Sequence, residues 1–380
     1  MILPDAPGGT PAPGGRSALF ALGFRPLYLL AGAYAALGVP LWALQYLGWL
    51  PGVSLSWHAH EMLFGYAFAV IAGFLLTAVR AWTGRPTPTG AALAAIAAIW
   101  LSARVLAVFS LPAAAAADAV FAIAVAWGIG RPIVASRNRN WFFIVLVLAI
   151  GAASVAFQAL PGVALAIGLD LVLVVMVIMG GRVIPGFTNN AIPGAGARRI
   201  AALETACIAS VLLLLATDFL DSNSSALVAL AAAGLHAARL ALWAPLKTRA
   251  NPILWILHLS YAWIVVHLAL RGCAGFGLAP AALATHALTV GAIGGLTLGM
   301  MTRTARGHTA RPLKAGPAEV AAYVLVQGAA IVRVLLPLAL PSAYAAAVTI
   351  SAALWSAAFA LFVVAFYPIL SRPRLDGQPG

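Results

Sequence analysis

Trp57-His58-Ala59-His60-Glu61-Met62-Leu63-Phe64-Gly65-Tyr66-Ala67-Phe68-Ala69-Val70-Ile71-Ala72-Gly73-Phe74-Leu75-Leu76-Thr77-Ala78-Val79 sets two imidazoles and a carboxylate at the mouth of an unbroken apolar run. A helix needs about 20 such residues to cross about 30 Å of hydrocarbon, so this stretch reads as a transmembrane helix opening on a polar cluster. Working outward, comparable runs recur at 27–47, 57–79, 89–109, 112–130, 141–160, 163–183, 200–219, 225–244, 252–271, 280–302, 318–338 and 345–368. With 63% hydrophobic and 8% charged residues over 380 positions, the chain has too little polar surface for a soluble globule of its size. The predicted fold is all-α, a polytopic bundle of about 12 transmembrane helices in contact with the lipid bilayer.

Connections such as Gly84-Arg85-Pro86, Pro161-Gly162 and Pro185-Gly186 are short, which predicts one bundle over 19–370 without a soluble domain. Residues 1–18, rich in Gly and Pro, read as a disordered tail rather than a cleaved signal, and 371–380 as a second tail. The net charge of +13 raises nucleic acid as a partner. The basic residues instead sit between apolar runs, with no stripe and no interleaved aromatics, which excludes that reading. Arg80, Arg85, Arg131, Arg182, Arg198, Lys247, Arg303, Arg306 and Arg311 follow even-numbered spans, and the odd-numbered connections carry almost none. The positive-inside rule then places both termini in the cytoplasm.

Ionisable groups inside a bilayer are costly, so converging imidazoles point to a metal or cofactor. At 1.5 Å per residue, His58 and His60 lie roughly 3–6 Å from the outer end of their helix and His286 about 10 Å inside its own, so these three can meet. On a regular helix His58 and His60 point about 200° apart, which forbids joint ligation of one ion. Either a first turn capped by Ser56 is distorted, or the two imidazoles serve adjacent centres. Glu61 could orient an imidazole, ligate a metal or relay protons; the plain alternative is that this cluster solvates a helix end.

His236 reads equally as a hydrogen-bonded packing residue or a ligand, and His267 as an interfacial residue. His258 is the stronger ligand candidate because Tyr261, at i+3, would set a phenol beside anything bound there. His308 falls in a loop at the other side of the membrane. Arg104, Arg271 and Arg333 lie toward the outer side against the general bias. An Arg104–Asp118 pair is the simpler reading of that couple, whereas Asp170 has no evident partner. Gly291, Gly295 and Gly299, four apart, predict close helix packing. Cys207 and Cys273 are placed too far apart to bridge, and neither belongs to a Cys-x-x-Cys-His string.

Several strings together resemble the NnrS family: Gly23-Phe24-Arg25-Pro26, the Trp57 to Gly65 run, Gly180-Gly181-Arg182-Val183-Ile184-Pro185-Gly186-Phe187-Thr188-Asn189-Asn190, Leu254 to Trp263, His286 to Gly291 and Gly307-His308-Thr309-Ala310-Arg311. Ala310 stands where that family leads us to expect glycine. The resemblance implies a bacterial inner-membrane protein carrying haem and copper and associated with nitric oxide and nitrosative stress. By position it carries over His58, His60, Glu61, Arg182, Asn189, Asn190, His258, His286 and His308, with Arg25, Tyr261, Arg303 and Arg311 beside them.

Combined with the depth argument, this implies haem b ligated by His258 or His286, with Arg104 and Arg333 available to its propionates. Copper would lie on His58 and His60, with His258 or His286 completing the set. Glu61 and Tyr261 would supply a proton or hydrogen bond to bound nitric oxide. Three classes follow: an oxidoreductase consuming nitric oxide with an unidentified electron donor, a transporter of copper, haem or a metal nitrosyl, and a membrane sensor. For the last, Arg182 to Asn190 and Arg303 to Lys314 would be output surfaces. In a cysteine-free background, His308→Cys should react with an impermeant thiol reagent only from the cytoplasmic side; labelling in intact cells from outside would reverse the orientation.

Overall fold

The computed structural model describes residues 17–51, 54–217 and 222–378, and the described residues are helical with no strand. The bulk of the expected 1–18 tail, and positions 218–219 of the seventh expected span, lie outside them. The helices are α1 (Phe24–Tyr46), α2 (Leu55–Thr83), α3 (Gly90–Phe109), α4 (Leu111–Ala135), α5 (Arg139–Ala156), α6 (Pro161–Ala191), α7 (Ala201–Thr217), α8 (Ser222–Leu242), α9 (Pro252–Gly275), α10 (Ala281–His308), α11 (Pro317–Ala339) and α12 (Tyr344–Ser371). Eleven are long and apolar enough to cross a membrane, and α7 is a shorter apolar helix. Leu37, Val105, Phe109, Ile123 and Val364 stand exposed on the outside of the bundle, where water would disfavour them and lipid would not. The chain is a multi-pass membrane protein.

Consecutive helices pack as neighbours, and contact between α1 and α12 closes the circuit. α2 is the most enclosed helix, touching α1, α3, α4 and α6, and its Tyr66 meets Thr297 of α10 at 2.5 Å. One end of the bundle carries Arg80, Arg131, Arg182, Arg303 and Arg311, and we call it the basic end. The opposite end holds the openings of α2 and α10 with their histidines, and we call it the histidine end.

Two helices depart from α-geometry in corresponding places. α2 is α-helical over Leu55–His60 and π-helical over Glu61–Ala67; α10 is α-helical over Ala281–His286 and π-helical over Ala287–Gly294. A π turn widens the helix and re-aims the side chains flanking it, and such turns occur frequently at functional sites. The cap of α2 is Ser54, whose hydroxyl accepts from Trp57 N at 3.0 Å, not Ser56 as expected. His58 thus sits in a regular turn, and the distortion falls after His60.

The glycine stripe of α10 is a packing surface against α9. A Cβ on Gly291 would lie 2.3 Å from Trp263 Cγ, one on Gly295 2.1 Å from Ser260 Oγ, and one on Gly299 2.9 Å from Leu257 Cδ2. Trp263 in turn donates to Gln327 of α11 at 2.9 Å, so the glycines allow three helices to be tied together. Gly291→Val should cost about 1–3 kcal/mol by overpacking, read as a lowered melting temperature of the detergent-solubilised protein. An unchanged melt would show that α9 and α10 do not pack this closely.

Candidate functional site

At the histidine end, α1, α2, α6, α10, α11 and α12 surround a cavity of about 490 Å³. His58 and His286 both line it, with Arg333 and Tyr344 at the same corner. The sequence places these two imidazoles more than two hundred positions apart; the fold sets both on one cavity, where Met62, Leu63 and Tyr66 of one π turn and Thr289, Val290 and Ile293 of the other form much of the wall. His58 stacks on Trp42 with centroids 4.2 Å apart, and its buried Nδ1 has no hydrogen-bond partner. His286 Nδ1 donates to Ala282 O at 2.6 Å, which leaves Nε2 as the acceptor, 3.3 Å from an Arg333 nitrogen.

His60 faces elsewhere. Its Nδ1 meets Glu61 Oε1 at 2.8 Å and its Nε2 meets Ser154 Oγ at 3.0 Å, so both ring nitrogens are engaged. Glu61 also takes Arg104 at 2.9 Å and the Tyr34 hydroxyl, and Arg104 reaches on to Asp118, which accepts from Ser154 at 3.2 Å. His60, Glu61 and Asp118 are fully buried. The expected Arg104–Asp118 pair is therefore present but belongs to a larger network spanning α1 to α5, in which every Glu61 oxygen is taken. His58 and His60 thus do not address one ion in this arrangement. Among the described residues no three or more His, Cys, Asp or Glu side chains gather as a metal site.

The other candidates are spread along the bundle. His258 lies toward the basic end, its Nε2 2.9 Å from Thr188 Oγ1, its Nδ1 buried without a partner. It does not line the cavity that holds His58 and His286. The Tyr261 hydroxyl meets His236 Nδ1 at 2.6 Å and accepts from Arg239 at 2.9 Å, so it is committed to a second buried network completed by Glu204. A Cβ on Gly181 would strike Arg239, and one on Gly180 would crowd the Tyr261 ring at 3.3 Å, so each of the paired glycines before Arg182 makes room for this network. Arg239 and Glu204 escaped the sequence reading, although a charge inside an apolar run was the available signal. Asp170 does have a partner, Arg271 at 2.7 Å, and His267 is buried rather than interfacial, with Nδ1 donating to Ala284 O at 2.8 Å.

The remaining motif residues assemble the basic end. Arg25 donates to Leu370 O and Arg372 O, His308 packs on Phe24 with centroids 5.6 Å apart, and Leu375 N reaches Thr309 O, so the first, tenth and last helices are joined there. Arg182 donates to Asn140 at 2.7 Å, Asn189 brackets Ala197 through both its amide atoms, and Arg303 lies 3.7 Å over the Phe187 ring. Asn190 is exposed, and Arg311 donates weakly to Thr309 O. Cys207 and Cys273 are free.

The chain belongs to the NnrS family: the model of that family, described as NnrS protein, matches residues 18–374. No curated protein matches it.

The chemistry of the cavity fits a haem better than the chain fits the expected copper set. Apolar walls, two imidazoles from facing helices, an unpartnered His58 Nδ1 and an unpartnered Arg333 nitrogen suit a flat, carboxylate-bearing macrocycle. A copper ion shared by His58 and His60 does not fit, because His60 is bound into the carboxylate network. That network also yields a stability test. Arg104→Leu strands two buried carboxylates and should cost about 3–5 kcal/mol, seen as a large drop in thermal stability. Adding Glu61→Gln and Asp118→Asn should recover most of the loss; no recovery would mean that the network is not balanced by charge.

Proposed function

We propose that this NnrS-family membrane protein binds a haem in the cavity between α2 and α10, with His58 and His286 as candidate iron ligands, and takes nitric oxide as its ligand or substrate there. The observation that carries this reading is the meeting of two sequence-distant imidazoles in one apolar cavity, each on the helical turn that leads into a π segment. Family membership supports the choice of haem and nitric oxide. The setting suits the gas: nitric oxide is small and nearly apolar, so it partitions into lipid and reaches a cavity among helices without a soluble channel.

Bound haem would supply an iron able to ligate nitric oxide and exchange an electron with it. The chain's part is to hold the group and shape its surroundings. His286 Nδ1, donating to Ala282 O, fixes the ring so that Nε2 faces the cavity, and Trp42 holds the His58 ring by stacking. The apolar wall keeps water from the ligand. Glu61, with its oxygens serving His60, Tyr34 and Arg104, holds the helices that carry His58 in place rather than standing free to deliver a proton. The proposed setting is the bacterial inner membrane with the cavity toward the outside, as the loop charges indicate.

Purified protein should then show a non-covalent b-type haem spectrum that shifts when nitric oxide is added without oxygen. His58→Ala and His286→Ala should lower haem content or alter the spectrum in protein that remains folded, whereas His258→Ala should leave both unchanged. Normal haem content and spectra in the first two variants, or loss confined to His258→Ala, would contradict the assignment.

A further inference from the structure

Arg104, Arg239, Arg271 and Arg333 lie along membrane-spanning helices, and three of these four have an acidic partner. Arg104 meets Glu61 and Asp118, Arg239 meets Glu204, and Arg271 meets Asp170. Arg333 is the exception. It is 4% exposed, yet none of the ion pairs among the described residues includes it. Nη2 donates to the Tyr344 hydroxyl at 2.9 Å and lies 3.3 Å from His286 Nε2; Nη1 is buried with no hydrogen-bond partner. The guanidinium also sits 4.9 Å from the centre of the Tyr344 ring. A charge enclosed among membrane helices requires a counter-charge or strong local hydrogen bonding, and a tyrosine and an imidazole supply only part of that.

The space in front of Arg333 defines what the missing partner looks like. The guanidinium lines the 490 Å³ cavity at its histidine-end corner, and beyond it the walls are Leu63, Leu169, Val290, Ile293, Val348 and Trp355. A small inorganic ion would satisfy Arg333 and leave most of that apolar volume unfilled. A purely apolar guest would fill the volume and leave the charge bare. One chemistry meets both demands, an organic carboxylate on a hydrophobic body, with the carboxylate in the planar fork of the arginine.

We propose that Arg333, with Tyr344 beside it, is a carboxylate receptor that orients an apolar carboxylic acid in this cavity, its acid group at the histidine end and its body against the π turns of α2 and α10. The carboxylate has two sources of the same chemistry, a haem propionate or a fatty acid. The haem arm rests on the function proposed above; the receptor itself rests on the geometry of Arg333.

The test compares acids with their esters on the full-length protein in zwitterionic nanodiscs, after stripping of bound ligand. Haem is titrated against haem dimethyl ester, followed by the Soret band, and oleate against methyl oleate, followed by displacement of a fluorescent fatty acid. The expected result is that the wild type prefers the free acid by about tenfold or more in at least one arm. Arg333→Gln should erase the preference by weakening acid alone, and Arg333→Lys should keep part of it. Preference for oleate without any haem binding would support the receptor and remove the haem reading. Equal binding of acid and ester by the wild type in both arms, no binding in either arm, or equal weakening of acid and ester by Arg333→Gln would overturn the receptor. Haem binding without discrimination, joined by no preference for oleate over its ester, would do so while leaving the haem reading intact. The wild-type comparison stands alone if the glutamine variant does not fold.

Discussion

A charged side chain surrounded by lipid-spanning helices must find its counter-charge inside the bundle, and that constraint organises this protein. The Arg104 guanidinium, drawn between Glu61 and Asp118, ties α2, α3 and α4 together, and Ser154 and Tyr34 bring α5 and α1 into the same network. The close approach needed for it is visible at Gly65, where a Cβ would collide with Arg104, and at Trp100, which donates to the Gly65 carbonyl at 3.0 Å. Once Glu61 is committed, His60 is committed with it. His58, two residues earlier on the opposite face, is left to point into the cavity. The division of labour between neighbouring histidines follows from where the carboxylate had to go.

The same logic recurs in the other half of the bundle. Arg239 bridges Glu204, Tyr261 and the Val177 carbonyl, and His236 joins through Tyr261, so α6 to α9 are held by a second buried network. The residues singled out by the resemblance to the NnrS family therefore divide into those that secure helices and those that face open volume. Arg25, Arg182, Asn189 and His308 belong to the first kind, while His58 and His286 belong to the second.

The helices themselves were legible because length and apolarity alone define a membrane span; most expected boundaries fall within a few residues of the observed ones. However, α6 runs on through the expected Pro185-Gly186 connection to Ala191 and α10 runs on to His308, which was expected in a loop, because polar and basic residues can extend a helix past the apolar stretch. The partners of buried charges were less so. Arg104 with Asp118 was readable because the two flank one short connection, whereas Arg271 with Asp170 and Arg239 with Glu204 join helices whose adjacency only packing decides. The candidate site was half legible. Depth counting correctly allowed His58 and His286 to meet, since both lie near the start of a span entering from the same side. Depth alone could not exclude His60; the regular-helix angle, which holds here because the π turn begins after His60, set the two imidazoles on opposite faces, and the hydrogen bonds of His60 to Glu61 and Ser154 decide which of them is withdrawn from the cavity.

His58 and His286 face one cavity while His60 faces away. In a cysteine-free background, paired replacements at 58 and 286, and at 60 and 286, can be treated with bifunctional thiol reagents of graded length and followed by cleavage between α2 and α10. The account predicts that the 58/286 pair cross-links with short reagents and that the 60/286 pair does not. Efficient cross-linking of 60/286 together with none of 58/286 would contradict it.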